Sequence, residues 1–424
     1  MIPAAAADAA PVRLAEPGAP PMNVLYLTIG FPQPDTPSDL MHLMEVFCGH
    51  GHTVDVVAVE ERKRGQPTRV AQQGPFRVLR VRTGNIFDVG PYEKGLSLVT
   101  LPWLLRRAMA RHLPRRRYDL VIYAAPPVTF SRVVRGLKRR QPWVKTYLML
   151  KDIFPQNAKD LGIIRNPLVF AYFKRQERNL YATSDVIGCM SPANVAFLRQ
   201  HSPEIPPERL EVLPNTRMPG PDTGLAPAGP LRQRHGIPPD AVVALYGGNM
   251  GVPQGLDFLL EVFEANRDRT DLHFLLVGRG TERKRLAEAI ATKGLRNVTQ
   301  ISHLPRLEYE ALARECDIGL VCLDPRFTIP NFPSRVLSYF EIRMPVLAAL
   351  DRATDFGAML DDAQAGYWCH AGDLAAFQRH LDQLAADPQL RARMGASGRR
   401  YLESHFTSAR AYEIISRHFI PAHS

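Results

Sequence analysis

Residues 244–257 have the sequence Ala244-Leu245-Tyr246-Gly247-Gly248-Asn249-Met250-Gly251-Val252-Pro253-Gln254-Gly255-Leu256-Asp257. The apolar run that ends at Tyr246 predicts a buried strand, and the pattern from Leu256 to Phe263 predicts a helix. Three glycines within five residues separate the two. In α/β proteins this order brings backbone N–H groups and a helix N-terminus up to a phosphate. A tight turn without a ligand has the same pattern, so the stretch alone leaves the ligand open.

The same alternation of strands and helices extends over both halves of the chain. A length of 424 residues is enough for two cores, and a segment rich in proline and glycine separates the halves. We therefore predict an α/β protein of two domains with a cleft between them. In chain order, the expected parts are a disordered tail over 1–21, a first domain over 22–216, a linker over 217–234, a second domain over 235–405 and a last segment over 406–424.

The composition is ordinary for a globular protein, with 45% hydrophobic and 22% charged residues. No apolar run is long enough to cross a bilayer, and the N-terminus lacks a signal-peptide pattern, so we expect a cytoplasmic protein. The five cysteines are scattered and have no histidines at zinc spacing. Buried thiols are therefore expected, and a metal site is not.

Positive charge is concentrated in residues 94–151, which contain 14 Lys and Arg against a single acid, Asp119. This stretch carries +13, more than the +11 of the whole chain. Such a patch suits nucleic acid, an anionic membrane or a diphosphate substrate. No zinc finger, array of stacking aromatics or basic recognition helix accompanies it, so nucleic acid is not an expected partner.

Residues 96–117 combine an apolar helical stripe with arginines. The stripe consists of Leu101, Leu104, Leu105, Ala108 and Met109, and Arg106, Arg107 and Arg111 lie elsewhere around the helix. This composition is typical of a helix that lies on an anionic membrane. It equally suits a surface helix whose stripe packs on the sheet, and the sequence leaves both interpretations open.

Five motifs follow one another along the chain: Asp152-Ile-Phe-Pro-Gln156, Val212-Leu-Pro-Asn215, Tyr246 to Gly255, Val277-Gly-Arg-Gly-Thr-Glu-Arg283, and Pro333-Ser-Arg-Val-Leu-Ser-Tyr339 with Met344-Pro-Val-Leu347. In this order they resemble the GT-B glycosyltransferases of family four, in the branch that builds bacterial capsule and O-antigen. The likeness runs from Met22 to about Phe419.

The resemblance implies a GT-B fold, in which two Rossmann-like domains face a central cleft. It implies that the second domain holds most of a nucleotide-sugar donor, with UDP favoured, and that the last helix, about Ser408–Phe419, packs back on the first domain. The expected reaction retains the anomeric configuration and uses neither a metal nor a cofactor. Backbone amides, a helix N-terminus and Arg or Lys must then stabilise the leaving diphosphate.

Two departures from the family pattern affect the donor site. Many members carry Arg and Lys five residues apart in the glycine stretch, where this chain has Asn249 and Gln254. The family's paired glutamates fall on Pro330 and Ser338 here, so Ser338 is the remaining polar side chain for the ribose. The substitute cations are Arg279, Arg283, Lys284 and Arg335; a solvated surface charge is the alternative for Arg283, Lys284 and Arg335.

The predicted catalytic residues are Asp152, Arg279 and Arg335, with Asp152 on the acceptor side. An N-cap, or a salt bridge to Lys151 or Arg165, is the alternative role for Asp152. By resemblance, the predicted donor-binding residues are Gly247, Gly248, Asn249, Met250, Gly251, Gln254, Arg279, Arg283, Lys284, His303, Leu304, Pro333, Ser334, Arg335 and Ser338.

These features predict a glycosyltransferase that moves a hexosyl or N-acetylhexosaminyl group from a UDP-sugar to a lipid-linked diphosphate saccharide in bacterial surface polysaccharide synthesis. We expect the protein at the inner face of the cytoplasmic membrane, held by residues 96–117. One alternative on the same fold is a nucleotide-sugar epimerase. Another is a catalytically impaired subunit that binds a partner enzyme, which the missing glutamates favour.

Overall fold

The computed structural model describes residues 20–32, 39–87, 89–114, 116–302 and 304–419, and in these ranges the strands form two sheets. The strands of the first sheet are β1 Asn23–Thr28, β2 Thr53–Glu61, β3 Arg69–Gln73, β4 Phe76–Thr83, β5 Leu120–Ala125, β6 Lys145–Leu150, β7 Val186–Cys189 and β8 Leu210–Val212. Those of the second are β9 Val242–Gly247, β10 Leu272–Val277, β11 Val298–Ile301, β12 Ile318–Cys322, β13 Val346–Leu350 and β14 Gly366–His370.

The helices are listed in chain order. They are α1 Asp39–Gly49, α2 Pro91–His112, α3 Phe130–Arg140, α4 Gln156–Asp160, α5 Pro167–Thr183, α6 Pro192–His201, α7 Pro230–Arg234, α8 Leu256–Ala265, α9 Arg283–Thr292, α10 Arg306–Arg314, α11 Val336–Glu341, α12 Phe356–Ala363, α13 Leu374–Ala386, α14 Pro388–His405 and α15 Ser408–Ser416.

Both sheets are doubly wound. The first has the order β3-β4-β2-β1-β5-β6-β7-β8 and is parallel except for the antiparallel pair β3–β4. The second has the order β11-β10-β9-β12-β13-β14 and is parallel throughout, with Leu245 opposite Leu275 of β10 and Gly319 of β12. In each sheet the strand order reverses beside the first strand of the domain, which opens a crevice at the carboxyl edge.

The first sheet is covered on both faces because its side chains alternate between two hydrophobic clusters. Leu25 and Leu27 point to the face covered by α2, α3 and α5, whereas Val24 and Tyr26 point to the face covered by α1 and α15. Helix α15 belongs to this domain by packing although it ends the chain: Tyr412 and Ile415 lie in the same cluster as Phe47 of α1. The predicted return of the last helix to the first domain is confirmed.

The two domains also meet through one loop of the second. Phe327 and Ile329, which follow β12, are buried in the hydrophobic cluster of the first domain. Between them, the backbone N and Oγ1 of Thr328 donate to Asp160 Oδ2 at 2.9 and 2.8 Å. Asn194 Nδ2 donates to the carbonyl oxygen of Pro330 at 2.9 Å. These contacts bring the carboxyl edges of the two sheets face to face.

Helix α2 settles one of the open alternatives about residues 96–117. Leu101, Leu105 and Ala108 are buried against the first sheet, with Leu104 and Met109 packed on the same cluster. The predicted stripe is therefore a core-facing stripe, and it is not available to a membrane. None of the helices in the described ranges combines the length and the apolar content needed to cross a bilayer.

Some elements were not predicted from the sequence. The edge pair β3–β4 and the last strand, β14, are absent from the predicted elements, and helix α7 occupies the end of the range predicted as a linker. The thiols behave as expected: the five cysteines are free, and four of them are buried, while Cys48 is half-buried. The predicted tail over 1–21 lies almost entirely outside the described residues.

Candidate functional site

The carboxyl ends of β9 and β12 border the crevice of the second domain. The Tyr339 side chain, on α11, holds these elements together because its hydroxyl accepts from Gly247 N at 3.0 Å and lies 3.1 Å from the carbonyl oxygen of Leu245. Tyr339 is 1% exposed. This buried anchor places Arg335, at the N-terminal end of the same short helix, beside the glycine turn that follows β9.

Arg335 is the central side chain of the crevice. Its guanidinium lies over the ring of Tyr246, with 4.2 Å between Cζ and the ring centroid, and its Nη2 donates to Gln254 Oε1. A β-carbon added at Gly248 would lie 3.7 Å from Cζ, so the glycine turn lies directly against the guanidinium. The Nη1 nitrogen is buried and has no hydrogen-bond partner. A buried donor without a partner is costly unless an acceptor such as an anion completes it.

Three backbone amides of the glycine turn are engaged within the protein. Gly247 N donates to Tyr339, Gly248 N to the carbonyl oxygen of Val277 at 2.9 Å, and Met250 N to that of Arg279 at 2.7 Å. These three N–H groups are satisfied within the protein. Gly247, Gly248 and Met250 therefore have no free amide to offer a phosphate, and the donor-binding roles predicted for them stay predictions.

Two of the glycines in these turns are required by the backbone geometry itself. Gly248 has φ +125° and Gly278 has φ +156°, in the region that favours glycine, and a β-carbon on Gly278 would overlap the carbonyl group of Gly248. The turns after β9 and β10 thus pack backbone against backbone. The Met250 side chain is fully buried in the core of the second domain.

Gln254 orients the central cation. Its Oε1 accepts from Arg335 and lies 3.3 Å from the hydroxyl of Tyr246, which donates to the carbonyl oxygen of Asn249 at 2.8 Å. The neutral side chain that replaces an expected cation thus holds another cation in place. Asn249 is exposed at the mouth of the turn.

The other predicted donor residues lie around this turn with differing exposure. Arg279 and Lys284 are exposed, and Arg283 is half-buried at the start of α9. Pro333 is buried, Ser334 is exposed, and Leu304 is half-buried against the second core. Gly251 is buried. His303 lies outside the described residues.

Ser338 lines a separate cavity of about 210 Å³ together with Tyr309, Arg217, Arg306, Arg314 and Glu341. Glu341 is already engaged: its Oε1 accepts from Gly220 N at 2.9 Å, and its Oε2 accepts from Arg217. The carboxylate nearest to the replaced glutamate thus binds the linker. Pro330, at the other replaced position, offers its carbonyl oxygen to Asn194.

The carboxyl edge of the first sheet contributes Lys151 and Asp152, directly after β6. Burial raises the pKa of Asp152 to about 6, opposed by hydrogen bonds from Asn157 and the Ile153 backbone. Burial likewise lowers the pKa of Lys151 to about 8. The two alternative salt bridges are not what these cations form: Lys151 Nζ donates to Asn215 Oδ1 at 2.9 Å, and Arg165 Nε donates to the Gly162 carbonyl oxygen at 3.1 Å.

Asp351, at the carboxyl end of β13, is a candidate that the sequence analysis missed. It is 2% exposed, its Oδ1 accepts from the backbone N of Ala353 and Thr354, and its Oδ2 has no partner. Burial raises its pKa to about 6. An aspartate directly after a buried strand was the available signal. Among the described residues, no three His, Cys, Asp or Glu side chains come together to hold a metal ion.

Two family profiles match most of the chain. One, described as "Glycosyl transferase 4-like domain", matches residues 38–216, and the other, "Glycosyl transferases group 1", matches residues 229–401. The probable glycosyltransferase WbjE of Pseudomonas aeruginosa is 22% identical over 293 residues, 63% of this chain and 66% of that protein. D-inositol 3-phosphate glycosyltransferase of Streptomyces coelicolor is 27% identical over 207 residues, 46% of this chain and 44% of that protein. The alignments thus span less than two thirds of these relatives' length.

Solved structures extend the likeness over nearly the whole fold. Sucrose-phosphate synthase from Thermosynechococcus elongatus has a TM-score of 0.72 at 16% identity, over 94% of this chain and 98% of its own. The glycosyltransferase WaaG has a TM-score of 0.63 at 16% identity, over 93% and 99%. HepE of Anabaena has a TM-score of 0.64 at 15% identity, over 94% and 99%. At these identities the structures show the fold, and together with the two profiles they establish that the chain belongs to the GT-B glycosyltransferases of the family-four type.

Proposed function

We propose that this chain transfers a sugar from a nucleoside diphosphate sugar to a lipid-linked saccharide, with retention of configuration and without a metal ion. The observation that carries the proposal is the buried, unfilled Nη1 of the half-buried Arg335, at a glycine turn on the carboxyl edge of the second sheet. A diphosphate supplies the anion that this donor lacks, and a guanidinium binds two of its oxygens at once.

The same cation suits the chemistry. Negative charge grows on the β-phosphate as the bond to the sugar breaks, so a donor placed there stabilises the transition state more than the ground state. The stacking on Tyr246 and the bond to Gln254 hold Arg335 in position before the charge develops. Arg279, in the turn after β10, and Arg283 and Lys284, at the start of α9, add positive charge to the second domain that attracts the same diphosphate.

The nature of donor and acceptor is supported by relatives and by charge. HepE was solved in complex with UDP, and WaaG is described as involved in lipopolysaccharide biosynthesis. UDP-sugars are therefore the first donors to test. The +13 of residues 94–151 matches an acceptor that carries phosphate and sits in an anionic membrane.

Asp152 is the proposed contact for the acceptor hydroxyl. It follows β6 at the edge that faces the second domain, and its carboxylate accepts hydrogen bonds once it is ionised above its pKa of about 6. Nearby, Asp160 is bonded across the cleft to Thr328, so this edge lies against the donor domain. The acceptor hydroxyl is thereby held between the two strand edges.

Thermal unfolding with UDP tests the donor site. Since UDP binds the native state, a concentration of about 100 times its Kd should stabilise the protein by roughly 2.7 kcal/mol, and EDTA should leave this shift unchanged. Arg335→Met removes the unsatisfied cation at similar volume, so it should lose the UDP shift without lowering the Tm of the free protein. Loss of the shift in EDTA and its return with Mg²⁺ would refute metal independence.

Kinetics on the same residue test the reaction. Arg335→Ala should lower kcat roughly 100-fold, about 2.7 kcal/mol, with a smaller loss of donor affinity, and Arg335→Lys should recover part of it. The matched control is Arg393→Ala, which removes an exposed arginine of α14. Normal turnover in Arg335→Ala would sink the assignment. UDP binding without transfer to any acceptor would support the impaired subunit, and release of a free sugar would support the epimerase.

A further inference from the structure

Helix α2 has a second apolar face, opposite the stripe that packs on the sheet. Tyr92, Leu96, Val99 and Trp103 are 93, 68, 43 and 61% exposed, at spacings of four, three and four residues. This spacing places them in one line along the helix, and the line points away from the core because Leu101 and Leu105 face it. The outer face of a surface helix is normally polar. An apolar outer face therefore indicates a partner. We call these four side chains the α2 ridge.

Cations continue the α2 ridge toward the end of the helix. The guanidinium of Arg107 lies 5.4 Å from the ring centroid of Trp103, and Arg106 and Arg111 are exposed beside it. The one acid in the helix sequence, Glu93, is engaged elsewhere: it accepts from Asn85 Nδ2 at 2.7 Å and lies 3.5 Å from Arg62. The exposed face thus presents apolar and cationic groups with its carboxylate already paired.

A second exposed apolar group lies in the same helix layer. Ile163, in the loop before α5, and Leu168 and Val169, in the first turn of α5, are 60, 79 and 42% exposed. Helices α2 and α5 both begin at the carboxyl edge of the first sheet, after β4 and β6, and both pack against α3. The α2 ridge and this α5 tip are therefore on the same side of the domain, next to the cleft.

The space between α3 and α5 is basic. Arg135, Lys138 and Arg139 line a groove there with Ala182 and Thr183. Lys138 is paired with Asp185 at 2.8 Å, and Arg139 is exposed. Apolar side chains thus lie near the cleft, and cations lie farther along the same helix layer.

We propose that the outer side of the α2–α3–α5 layer docks on an anionic lipid bilayer, with the α2 ridge and the α5 tip inserted among the headgroups and the arginines on lipid phosphates. A bilayer is a better match for this surface than a protein partner. Trp and Tyr side chains lie at the depth of the lipid headgroups, and nearby arginines bind the lipid phosphates. This proposal rests on the proposed function only for the role of the surface, which is to bring the cleft edge with Asp152 to a lipid-linked acceptor.

Vesicle flotation of the full chain tests this docking. The protein should float with vesicles that contain phosphatidylglycerol and much less with pure phosphatidylcholine. The double variant Leu96→Ser with Trp103→Ser should weaken binding about tenfold or more, because both side chains are exposed and contribute by insertion. The matched control is Leu307→Ser, which changes an 81% exposed leucine of the second domain and should bind like the wild type. Arg106→Gln with Arg107→Gln should remove the preference for anionic vesicles.

Several results would overturn the docking surface. If the α2 ridge variant binds vesicles like the wild type, the docking surface is wrong. It is also wrong if raised salt abolishes binding completely, because the α2 ridge then does not insert into the bilayer. A dimer in lipid-free buffer that the ridge variant dissociates would assign the ridge to a second copy of the chain. Because UDP-induced stabilisation is measured without vesicles, a failure here with an intact UDP shift contradicts the docking surface alone. An absent UDP shift with intact flotation contradicts the proposed function alone.

Discussion

At the scale of single residues, the informative side chains are those with an unfilled bonding position or a displaced charge. Arg335 has an unused donor and Asp351 an unused acceptor, each at the carboxyl edge of the second sheet. Lys151 and Asp152 have pKa values shifted in opposite directions because burial penalises the charged form of both. Such groups are expected where a polar ligand completes the site.

The raised pKa of Asp152 predicts that replacing this carboxyl increases the free energy of unfolding, by an amount that depends on pH. Its folded pKa of about 6 lies above the unfolded value of roughly 3.9, so the unfolded state loses its proton first as the pH rises, and native stability is lost between about pH 4 and 6. Compared with the wild type, Asp152→Asn should therefore gain about 2 kcal/mol more free energy of unfolding at pH 7 than at pH 4. Lys151, with its pKa of about 8, keeps its charge throughout this window.

Urea unfolding of the wild type and of Asp152→Asn at pH 4 and pH 7 measures this difference. Asp351→Asn is the matched variant for comparison, because burial also raises the pKa of that carboxyl to about 6. The wild-type rate of sugar transfer should fall below pH 6, and Asp152→Asn should have lost most of its activity at pH 7. An Asp152→Asn variant with full activity would remove Asp152 from the acceptor site.

At the scale of elements, α2 carries two opposite apolar faces, and only one of them stabilises the fold. Leu101 is 0% exposed in the first core, whereas Leu96, five residues earlier, is 68% exposed. Leu101→Ala should destabilise the protein by roughly 2–4 kcal/mol, while Leu96→Ala should change stability by less than about 0.5 kcal/mol. Urea unfolding of the pair measures the orientation of the helix. Equal costs would mean that α2 is rotated from the orientation described here.

At the scale of the whole molecule, the loop that follows β12 couples the two domains. Phe327 is 5% exposed in the core of the first domain although it belongs to the second. Phe327→Ala should cost roughly 3 kcal/mol and make the domains unfold separately, because it removes an apolar contact across the cleft. Calorimetry should show one transition in the wild type and two in the variant. Leu307→Ala is the exposed control, and a single unshifted transition in Phe327→Ala would refute the coupling.

Much of the architecture follows from local sequence patterns. The run to Tyr246, the glycines and the helical pattern from Leu256 predicted β9, its turn and α8. Such features are predictable because the periods of side chains along strands and helices, and the freedom of glycine, depend on few neighbouring residues. The edge strands β3 and β14, with five residues each, were missed because short strands give weak patterns, and the eight-residue β4 beside β3 was missed as well.

The sequence also singled out Arg335 as the substitute cation, but not its surroundings. Its contacts to Tyr246 and Gln254 join residues more than 80 positions apart, and the engaged amides of Gly247, Gly248 and Met250 depend on acceptors in α11, at the end of β10 and in the turn after β10. Which apolar face of α2 is buried, and which is left for a partner, was likewise decided by packing on the first sheet. These properties arise only in the tertiary structure, because burial and hydrogen-bond satisfaction depend on groups that folding brings together from distant parts of the chain.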